Sequence, residues 1–309
     1  MKRFLIAATA LGTAFVGMPA SHSAAVNGFL AIDDGNTRQI YRLNENGTGL
    51  TQLTHVPSGQ QAFSPRWSPD GQHIVFGIFA NGHDRLYTMA WDGTGRHLLR
   101  KDTPAWNNDV ATYFPNGKRL VFARCHSDGS GCELATVRAD GTHFRTLTHT
   151  GFEVYDFAPD VSPDGNRIAF VKFNAHGIHS QVWVMNANGS GAYPLTKPAL
   201  EAGSPRWSPS GSTLIVSSNC CRLGGNVYRI PVPGGRPTQL THTSWPLFSG
   251  GSTSYAPNGA KIAFISDRNH PDQCCFELYV MRANGQHQVK VKTGLTAVLS
   301  VDWGRAVVS

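Results

Sequence analysis

The chain has 309 residues, of which 15% are charged and 33 are glycine, and its formal net charge is +7. Few charges, many glycines and no long amphipathic helical pattern favour short strands and turns over a helical fold. The basic residues after the first few positions are scattered and form no long run, which argues against a nucleic-acid-binding protein.

Residues 1–25 are predicted to be a signal peptide. Lys2 and Arg3 form a positively charged start, an apolar segment follows over 4–16, and Ser23-Ala24-Ala25 offers small residues for cleavage. The apolar segment is too short to span a bilayer, and no later stretch is suited to a transmembrane helix. We therefore expect an exported protein, periplasmic or extracellular, in which residues 26–309 form a single monomeric domain.

A turn motif recurs at regular intervals along the chain. It reads Ser-Pro-Asp-Gly at residues 68–71, and its prolines stand at 69, 115, 163, 209 and 257, in steps of 46, 48, 46 and 48 residues. Proline presets φ for a turn, and the glycine supplies the positive φ that a tight hairpin needs. Because sister copies replace Asp70 by asparagine or serine, the motif indicates turn geometry rather than a catalytic acid.

A second series of turns alternates with the first. Alternating apolar runs precede these turns, and a short segment ending in Leu-Thr follows most of them. Each repeat is thus predicted to be four short strands, A to D, in which the first series joins A to B and the second joins C to D. Four-stranded units of this period are β-propeller blades. The second series is Asn46-Gly47, Asp92-Gly93, Asp140-Gly141, Asn188-Gly189, Gly234-Gly235 and Asn284-Gly285.

The number of turns predicts how the blades close into a ring. Six C–D turns occur but only five A–B turns, because the first repeat begins near 29–32 without a strand A. The segment 298–304 looks like a strand A with nothing after it, and its Trp303 matches Trp67 and Trp207. We therefore predict an all-β fold, a six-bladed β-propeller of four-stranded antiparallel blades, closed by a C-terminal strand that joins the N-terminal blade.

The repeat also resembles that of a known family. Ile168-Ala169-Phe170 followed by 182–189, and Ile262-Ala263-Phe264 followed by 278–285, are similar to the WD40-like propeller repeat of the TolB family. The resemblance covers nearly everything after the leader and implies the propeller fold. TolB itself carries an α/β domain ahead of its propeller, which this chain is expected to lack. Related propeller peptidases add a hydrolase domain with a Gly-x-Ser-x-Gly elbow, and that motif does not occur here.

Six cysteines in an exported chain favour disulfides over metal sites. Cys125 and Cys132 lie between two strand-like runs, so they are expected to bond and to staple one hairpin. The adjacent pairs Cys220-Cys221 and Cys274-Cys275 could each bond internally or with the other pair, and their pairing stays open.

The loops that join B to C and D to A share one face of a propeller, and we expect the functional site on this loop face. An exposed aromatic side chain beside carboxylates can stack on a sugar ring or anchor a peptide. The alternative is that these side chains fill gaps between neighbouring blades. The candidate ligand-binding residues are Trp106, Asp109, Glu153, Tyr155, Asp156, Glu201, Trp245 and Phe248.

Histidines also concentrate on the loop face. His126, His176 and His179 are candidate metal ligands, because neutral imidazole binds divalent metals. The alternative is that these histidines are ordinary solvated loop residues. We favour this alternative, because other loop-face histidines simply belong to the repeated Leu-Thr-His ending of strand D. No metal site or catalytic residue can be assigned, so no cofactor is predicted. Binding of a divalent metal remains an alternative.

The sequence favours a function without catalysis, since no Ser-His-Asp order, phosphate loop or nucleotide motif occurs. We expect a binding or scaffold module that holds a protein, peptide or glycan at the channel mouth on its loop face. Two alternatives remain. One is a carbohydrate-active lyase or hydrolase of the propeller type that uses loop-face histidines and carboxylates, and the other is an envelope-integrity component like those of the Tol–Pal system.

Overall fold

The computed structural model describes residues 25–174, 177–218, 225–244, 249–270 and 275–307, so nearly all of the predicted signal peptide lies outside it. The elements within these ranges are β-strands and one 3₁₀ turn at Pro198–Leu200. The prediction of an all-β chain is confirmed. Among these residues, no helix has the length and apolar character needed to cross a membrane.

The described strands group into six units of four, which we number in chain order. Unit 1 is β1 (Asn27–Asp34), β2 (Gln39–Leu43), β3 (Thr51–Gln52) and β24 (Val298–Arg305); unit 2 is β4 (Gln61–Trp67), β5 (His73–Ala80), β6 (His83–Ala90) and β7 (His97–Leu98); unit 3 is β8 (Trp106–Tyr113), β9 (Arg119–His126), β10 (Cys132–Arg138) and β11 (Arg145–Thr146). Unit 4 is β12 (Val154–Val161), β13 (Arg167–Asn174), β14 (Gly177–Asn186) and β15 (Tyr193–Pro194); unit 5 is β16 (Ala202–Trp207), β17 (Thr213–Ser218), β18 (Asn226–Pro231) and β19 (Thr238–Gln239); unit 6 is β20 (Ser249–Tyr255), β21 (Lys261–Ser266), β22 (Glu277–Arg282) and β23 (Val289–Lys290).

Each unit is an antiparallel sheet of sequential strands, except that unit 1 begins with the last strand, in the order β24-β1-β2-β3. There Trp303 of β24 lies opposite Leu30 of β1. Units 3 and 4 are joined into one sheet by a single parallel pairing, Cys132 with Tyr155. We call β24, β4, β8, β12, β16 and β20 the inner strands. Each contacts the inner strand of the next unit, and β20 of unit 6 contacts β24 of unit 1.

The hydrophobic core lies between consecutive units. In each of six clusters, buried side chains of one unit pack on those of the next, and one cluster joins Leu30 and Trp303 of unit 1 to Ile265 and Leu278 of unit 6. Four phenylalanines, Phe76, Phe122, Phe170 and Phe264, are fully buried at equivalent positions of their units. Both faces of a unit are therefore covered by its neighbours, which explains why apolar residues fill the middle strands.

The recurring turns have two different structural roles. Most A–B turns are ordinary tight turns, as in the hydrogen bond of 2.8 Å from the N–H of Gly117 to the carbonyl of Phe114, where a Cβ on the glycine would meet nothing within 4 Å. The C–D turns also touch the preceding unit: a Cβ at Gly141 would lie 2.1 Å from the carbonyl oxygen of Leu99. Only glycine fits there, because its φ is +82° and no space for a side chain exists.

The Leu-Thr ending of strand D also has a structural reason. The hydroxyl of Thr54 accepts a hydrogen bond of 2.8 Å from the N–H of Ile40, and Thr148 accepts one of 2.9 Å from Leu134. Each threonine thus satisfies a backbone donor of strand C beyond the point where strand D ends. The histidines that follow, His55 and His149, are exposed.

Candidate functional site

A backbone irregularity repeats in the inner strands. Four residues at equivalent repeat positions, Ser64, Val110, Ala158 and Ser204, have φ values of 50°, 35°, 47° and 47°, and the pairing register shifts at each of them. Positive φ is uncommon for residues other than glycine, above all for a β-branched one such as Val110. Such bulges bend a strand and redirect the side chains that follow.

Polar side chains occupy the same repeat position in all six inner strands, two residues after the bulge in the four strands that have one. In the order of units 2 to 6 and then unit 1, they are Arg66, Thr112, Asp160, Arg206, Ser254 and Asp302. The order Arg-Thr-Asp is thus nearly repeated as Arg-Ser-Asp. We call these six residues the inner ring.

Asp302 contacts several of the other units through its carboxylate. Its carboxylate lies 3.2 Å from Nη2 of Arg206 and 3.6 Å from Nη1 of Arg66, and it accepts a backbone hydrogen bond of 2.8 Å from Trp67 and one of 3.2 Å from the hydroxyl of Ser254. These partners belong to units 5, 2 and 6, whereas Asp302 belongs to unit 1. One carboxylate therefore links four of the units.

Arg206 makes the second link across the ring. Its Nη1 lies 3.4 Å from Oδ1 of Asp160 in unit 4, and the other oxygen of Asp160 accepts a hydrogen bond of 2.8 Å from the N–H of Trp207. Burial raises the pKa of Asp160 to about 7, although that hydrogen bond and Arg66 lower it. Burial likewise raises the pKa of Asp302 and lowers that of Arg66. The charge of the inner ring is therefore sensitive to pH near neutrality.

A cavity of about 230 Å³ lies beside the inner ring, at the end where strand A turns into strand B. Its floor includes four members of the inner ring, and its wall is aromatic, with Trp67, Tyr113, Trp207, Tyr255 and Trp303 largely buried. The turn prolines stand at its rim, and Pro115, Pro163 and Pro209 are exposed. We call this cavity the central cup. The central cup thus presents the aromatic side chains of its wall and the prolines of its rim around a floor of charged side chains.

A second cavity, of about 220 Å³, lies at the opposite, loop-bearing end. We call it the Trp106 cavity. Two residues predicted as site candidates, Trp106 and His126, meet in it, with ring centroids 3.8 Å apart. Its lining is Trp106, His126, Ser130, Gly131, Glu133, Thr150, Gly151 and Phe152.

The wall of the Trp106 cavity is held by one arginine. The guanidinium carbon of Arg124 lies 3.7 Å from the centroid of the Trp106 ring. Its Nε and Nη2 bind the two oxygens of Asp102 at 3.1 and 3.2 Å, and its Nη1 binds Oε1 of Glu133 at 3.0 Å. Arg100 adds a contact of 2.8 Å to Asp102. Trp106 is thus packed on a cation, rather than standing free as a platform.

Asp109 does not join the Trp106 cavity, although it is only three residues from Trp106. The bulge at Val110 follows it, and Asp109 accepts a hydrogen bond of 2.6 Å from the N–H of that residue. Burial, together with the nearby carboxylates of Asp84 and Asp33, raises the pKa of Asp109 to about 7. It belongs to a group of acids near the inner strands.

The remaining candidate residues within the described ranges are dispersed. Tyr155 donates a hydrogen bond to the carbonyl of Gly129 and stacks on Phe173 with a centroid distance of 4.7 Å. Asp156 is buried and pairs with Lys172 at 2.9 Å. Glu201 is buried after the 3₁₀ turn, and the backbone N–H of Glu153 donates to Ser130 at 2.7 Å. None of these four lines either cavity described above.

Several predictions fall outside the described residues: the side chains of Trp245, Phe248 and His176, and cysteines Cys220, Cys221 and Cys274. The side chain of His179 is likewise not described. Cys275 is disulfide-bonded, and the expected bond between Cys125 and Cys132 is present. Within the described ranges, no three His, Cys, Asp or Glu residues converge as a metal site would require.

Sequence reasoning missed Glu133, Arg124 and the acidic members of the inner ring. Glu133 carries no local signal, because it sits inside an ordinary strand. The inner ring does carry one: aligning the repeats on their turn prolines places Asp160 and Asp302 at the same position as Arg66 and Arg206. Opposite charges at equivalent positions of neighbouring inner strands indicate pairing between units.

A family profile described as the TolB beta propeller domain matches residues 133–304, more than half of the chain. The protein belongs to the TolB β-propeller family. An uncharacterized protein of Agrobacterium fabrum is 28% identical over 185 residues, which are 56% of this chain and 59% of that protein. The Tol-Pal system protein TolB of Gluconobacter oxydans is 42% identical over 74 residues, 24% of this chain and 16% of TolB. The chain therefore spans less than two thirds of the length of these relatives.

Two solved structures have a similar fold. TolB from Acinetobacter baumannii superposes with a TM-score of 0.71 at 17% identity, covering 89% of this chain and 66% of that one. An oligogalacturonate lyase from Vibrio parahaemolyticus superposes with a TM-score of 0.57 at 15% identity, over 85% of this chain and 73% of the lyase. At these identities the likeness concerns the fold alone.

Proposed function

We propose that this TolB-family chain is an exported, closed six-bladed propeller that acts as a binding module for a protein or peptide. The six units are the blades, and β24 closes the ring by completing the blade of β1 to β3. Contact between units 6 and 1 and their shared hydrophobic cluster support this closure. The predicted leader and the relatedness to a Tol-Pal system protein support export.

The observation that carries the proposal is the central cup. Every inner strand sends residues into it, and its floor is fixed by ion pairs between different units. Exposed prolines at the rim and aromatic side chains in the wall suit an extended peptide or a protruding loop, because such surfaces bury apolar area at little entropic cost. The charged floor supplies orientation, since Arg206 and Asp160 present opposite charges.

This position differs from the one expected from the sequence, which favours the loop face. The two positions remain alternative sites for a macromolecular partner, and a glycan-processing activity or a Tol–Pal role remains a prediction. The loop-face histidines 176 and 179 that such an activity would use lie outside the described side chains.

Site-specific photocrosslinking separates these sites. The photoreactive residue benzoyl-phenylalanine is placed at Pro209 on the rim of the cup, at Phe152 on the loop face, or at Val289 on the outermost strand of unit 6. All three side chains are exposed. Purified variants are then irradiated in envelope extract. A discrete adduct is expected from Pro209 and none from Val289.

An adduct from Phe152 alone would move the partner site to the loop face. Equal labelling at Pro209 and Val289, or no adduct at Pro209, would remove the central cup as the binding surface. Because all three positions are exposed, the variants keep the core intact, and equal melting temperatures provide the control.

A further inference from the structure

We propose that the Trp106 cavity is a separate binding site for one neutral pyranose ring. It is distinct from the central cup, lies at the opposite end of the inner strands, and does not depend on a protein partner. The inference rests on the size of the cavity, its polar groups, its charge balance and its exposed aromatic side chain.

The dimensions of the cavity limit the ligand to a small one. Its volume of about 220 Å³ lies below the range of about 300–1,000 Å³ that accommodates drug-sized ligands. A single ring fits such a space, whereas a folded peptide segment does not. The lining is mixed, with three aromatic or imidazole rings and the hydroxyls of Ser130 and Thr150.

Several polar groups in the lining remain available to a ligand. Oε1 of Glu133 is engaged by Arg124 and by the hydroxyl of Thr146 at 3.2 Å, whereas Oε2 accepts no hydrogen bond from a described residue. The ring nitrogens of His126 likewise make no hydrogen bond within the described part of the chain, and the imidazole is exposed. The hydroxyls of Thr150 and Ser130 already donate, Thr150 to the carbonyl of Cys132 at 3.1 Å and Ser130 to the carboxylate of Asp128, so both remain as acceptors. Together with a carboxylate oxygen and an imidazole, they match the alternating donors and acceptors of a sugar.

The local charges favour a neutral ligand. Around the cavity, Arg100 and Arg124 balance Asp102 and Glu133, and the four form one connected network. An anionic sugar would be repelled by Glu133 and would find no free cation, since the Nε, Nη1 and Nη2 groups of Arg124 already bind carboxylates. A cationic ligand would be repelled by Arg124. A neutral polyol gains hydrogen bonds without either penalty.

The wall that carries these groups is rigid before any ligand arrives. The hairpin between β9 and β10 is closed by the Cys125–Cys132 disulfide and is tied to unit 4 by the hydrogen bond between Glu153 and Ser130. Tyr155 adds a hydrogen bond to Gly129 of the same hairpin. A fixed wall lowers the entropy lost on binding, which matters most for a ligand that makes few contacts.

Phe152 supplies the stacking surface that Trp106 lacks. Its side chain is 78% exposed, more than any other large aromatic side chain within the described ranges. No described residue contacts its ring in an aromatic pair. The apolar C–H face of a pyranose packs on such a ring, and its hydroxyls then point to Glu133 and His126.

The test uses methyl β-glucopyranoside, methyl β-galactopyranoside and methyl β-N-acetylglucosaminide as neutral probes and sodium glucuronate as the anionic one. Binding is followed by saturation-transfer NMR and by titration of tryptophan fluorescence. At least one neutral probe is expected to bind with a Kd of about 1 mM, and glucuronate about tenfold more weakly. The full mature chain is used with its disulfides intact.

The variants Phe152→Ser and Glu133→Ala are each expected to weaken that binding about three- to tenfold. Phe79→Ser is the matched control, because Phe79 is another exposed phenylalanine that is not part of the cavity lining, and it should leave the Kd unchanged. Phe152→Ser removes an exposed side chain, so loss of folding cannot account for its effect.

Three results would overturn the proposal: no neutral probe binds at about 20 mM, twenty times the expected Kd; binding survives both Phe152→Ser and Glu133→Ala; or glucuronate binds more tightly than the neutral probes. Failure of the crosslinking experiment at the central cup leaves the sugar site intact, because the two sites share no residue.

Discussion

The two ends of the inner strands are built in opposite ways. At the turn end, the central cup takes one equivalent position after another from the repeats, so its aromatic wall and its rim of prolines nearly follow the pseudosymmetry of the units. At the loop end, the Trp106 cavity takes its lining from unit 3 and the connection into unit 4. The repeated positions alone can therefore form the lining of the central cup. The Trp106 cavity, in contrast, needs residues that occur in one unit only.

The charges differ in the same way. Asp302 and Arg206 join units that are far apart in the chain, but Arg100, Asp102, Arg124 and Glu133 all lie within or just before unit 3. Breaking the first network should loosen the whole assembly, and breaking the second should act locally. Substitutions at each end can measure this difference.

The largest effect is expected from Asp302→Ala. It leaves Arg206 and Arg66 without this carboxylate and removes the acceptor for the N–H of Trp67. Removing one partner of a buried pair costs about 3–5 kcal/mol of unfolding free energy. The matched control is Glu45→Ala, which breaks the exposed ion pair between Glu45 of unit 1 and Lys261 of unit 6 and should cost less than about 1 kcal/mol. Urea denaturation followed by fluorescence measures both, and equal losses would contradict a special role for the inner ring.

A smaller effect is expected at the loop end from the double variant Cys125→Ser/Cys132→Ser. The bond closes a loop with a sequence separation of 7 residues, so the chain-entropy relation gives about 2.5 kcal/mol. Calorimetry under non-reducing conditions should show a lower Tm in the double variant. Crosslinking from Pro209 should be unchanged, because the bond lies far from the central cup. An unchanged Tm would mean that the bond does not stabilise the chain, and loss of the Pro209 adduct would mean that the two ends are not independent.

The smallest effect concerns Asp109, between the two ends. Its pKa is raised in the folded chain, so the folded state holds the proton more tightly and stability falls as pH rises from about 4 through about 7. Asp109→Asn should raise the Tm slightly at pH 5, where part of the penalty is already present, and more at pH 8, by about 2–4 °C for each kcal/mol of relieved burial and repulsion.

The control for this pH dependence is Asp92→Asn. Asp92 is an exposed turn residue whose pKa is lowered by hydrogen bonds from Thr94, so it titrates below the tested range. Asn46 makes the same pair of hydrogen bonds in the equivalent turn of unit 1, so asparagine fits. If Asp109→Asn and Asp92→Asn change the difference in Tm between pH 5 and pH 8 equally, the assignment to Asp109 is wrong.

The strands were predictable because their signals are local. Gly71 and Gly141 mark turns whose φ values only glycine adopts readily, and the runs between them alternate with the period of a strand. The Cys125–Cys132 bond was predictable for the same reason, since the hairpin itself brings the two residues opposite each other.

The sites were harder to predict because they depend on distant or irregular geometry. Arg206 and Asp302 form an ion pair between units 5 and 1, which are far apart in the chain, and no local pattern encodes that contact. Trp106 and Asp109 look like one site in the sequence, but a bulge at Val110 separates them, and valine gives no sign of a positive φ. Sequence reasoning thus found two residues of the Trp106 cavity and missed the glutamate and the arginine that hold its wall.

The pairing of β24 with β1 also sets the order in which the protein can be completed. The hydroxyl of Ser300 donates to the carboxylate of Asp33 across a separation of 267 residues. At synthesis rates of about 5–20 residues per second, β1 remains without its partner strand β24 for roughly 15–50 s. During that time its edge is open, and the carboxylate of Asp302 is absent from the inner ring. The other units can form earlier, whereas unit 1, whose β1 is synthesised first, is the last unit to be completed.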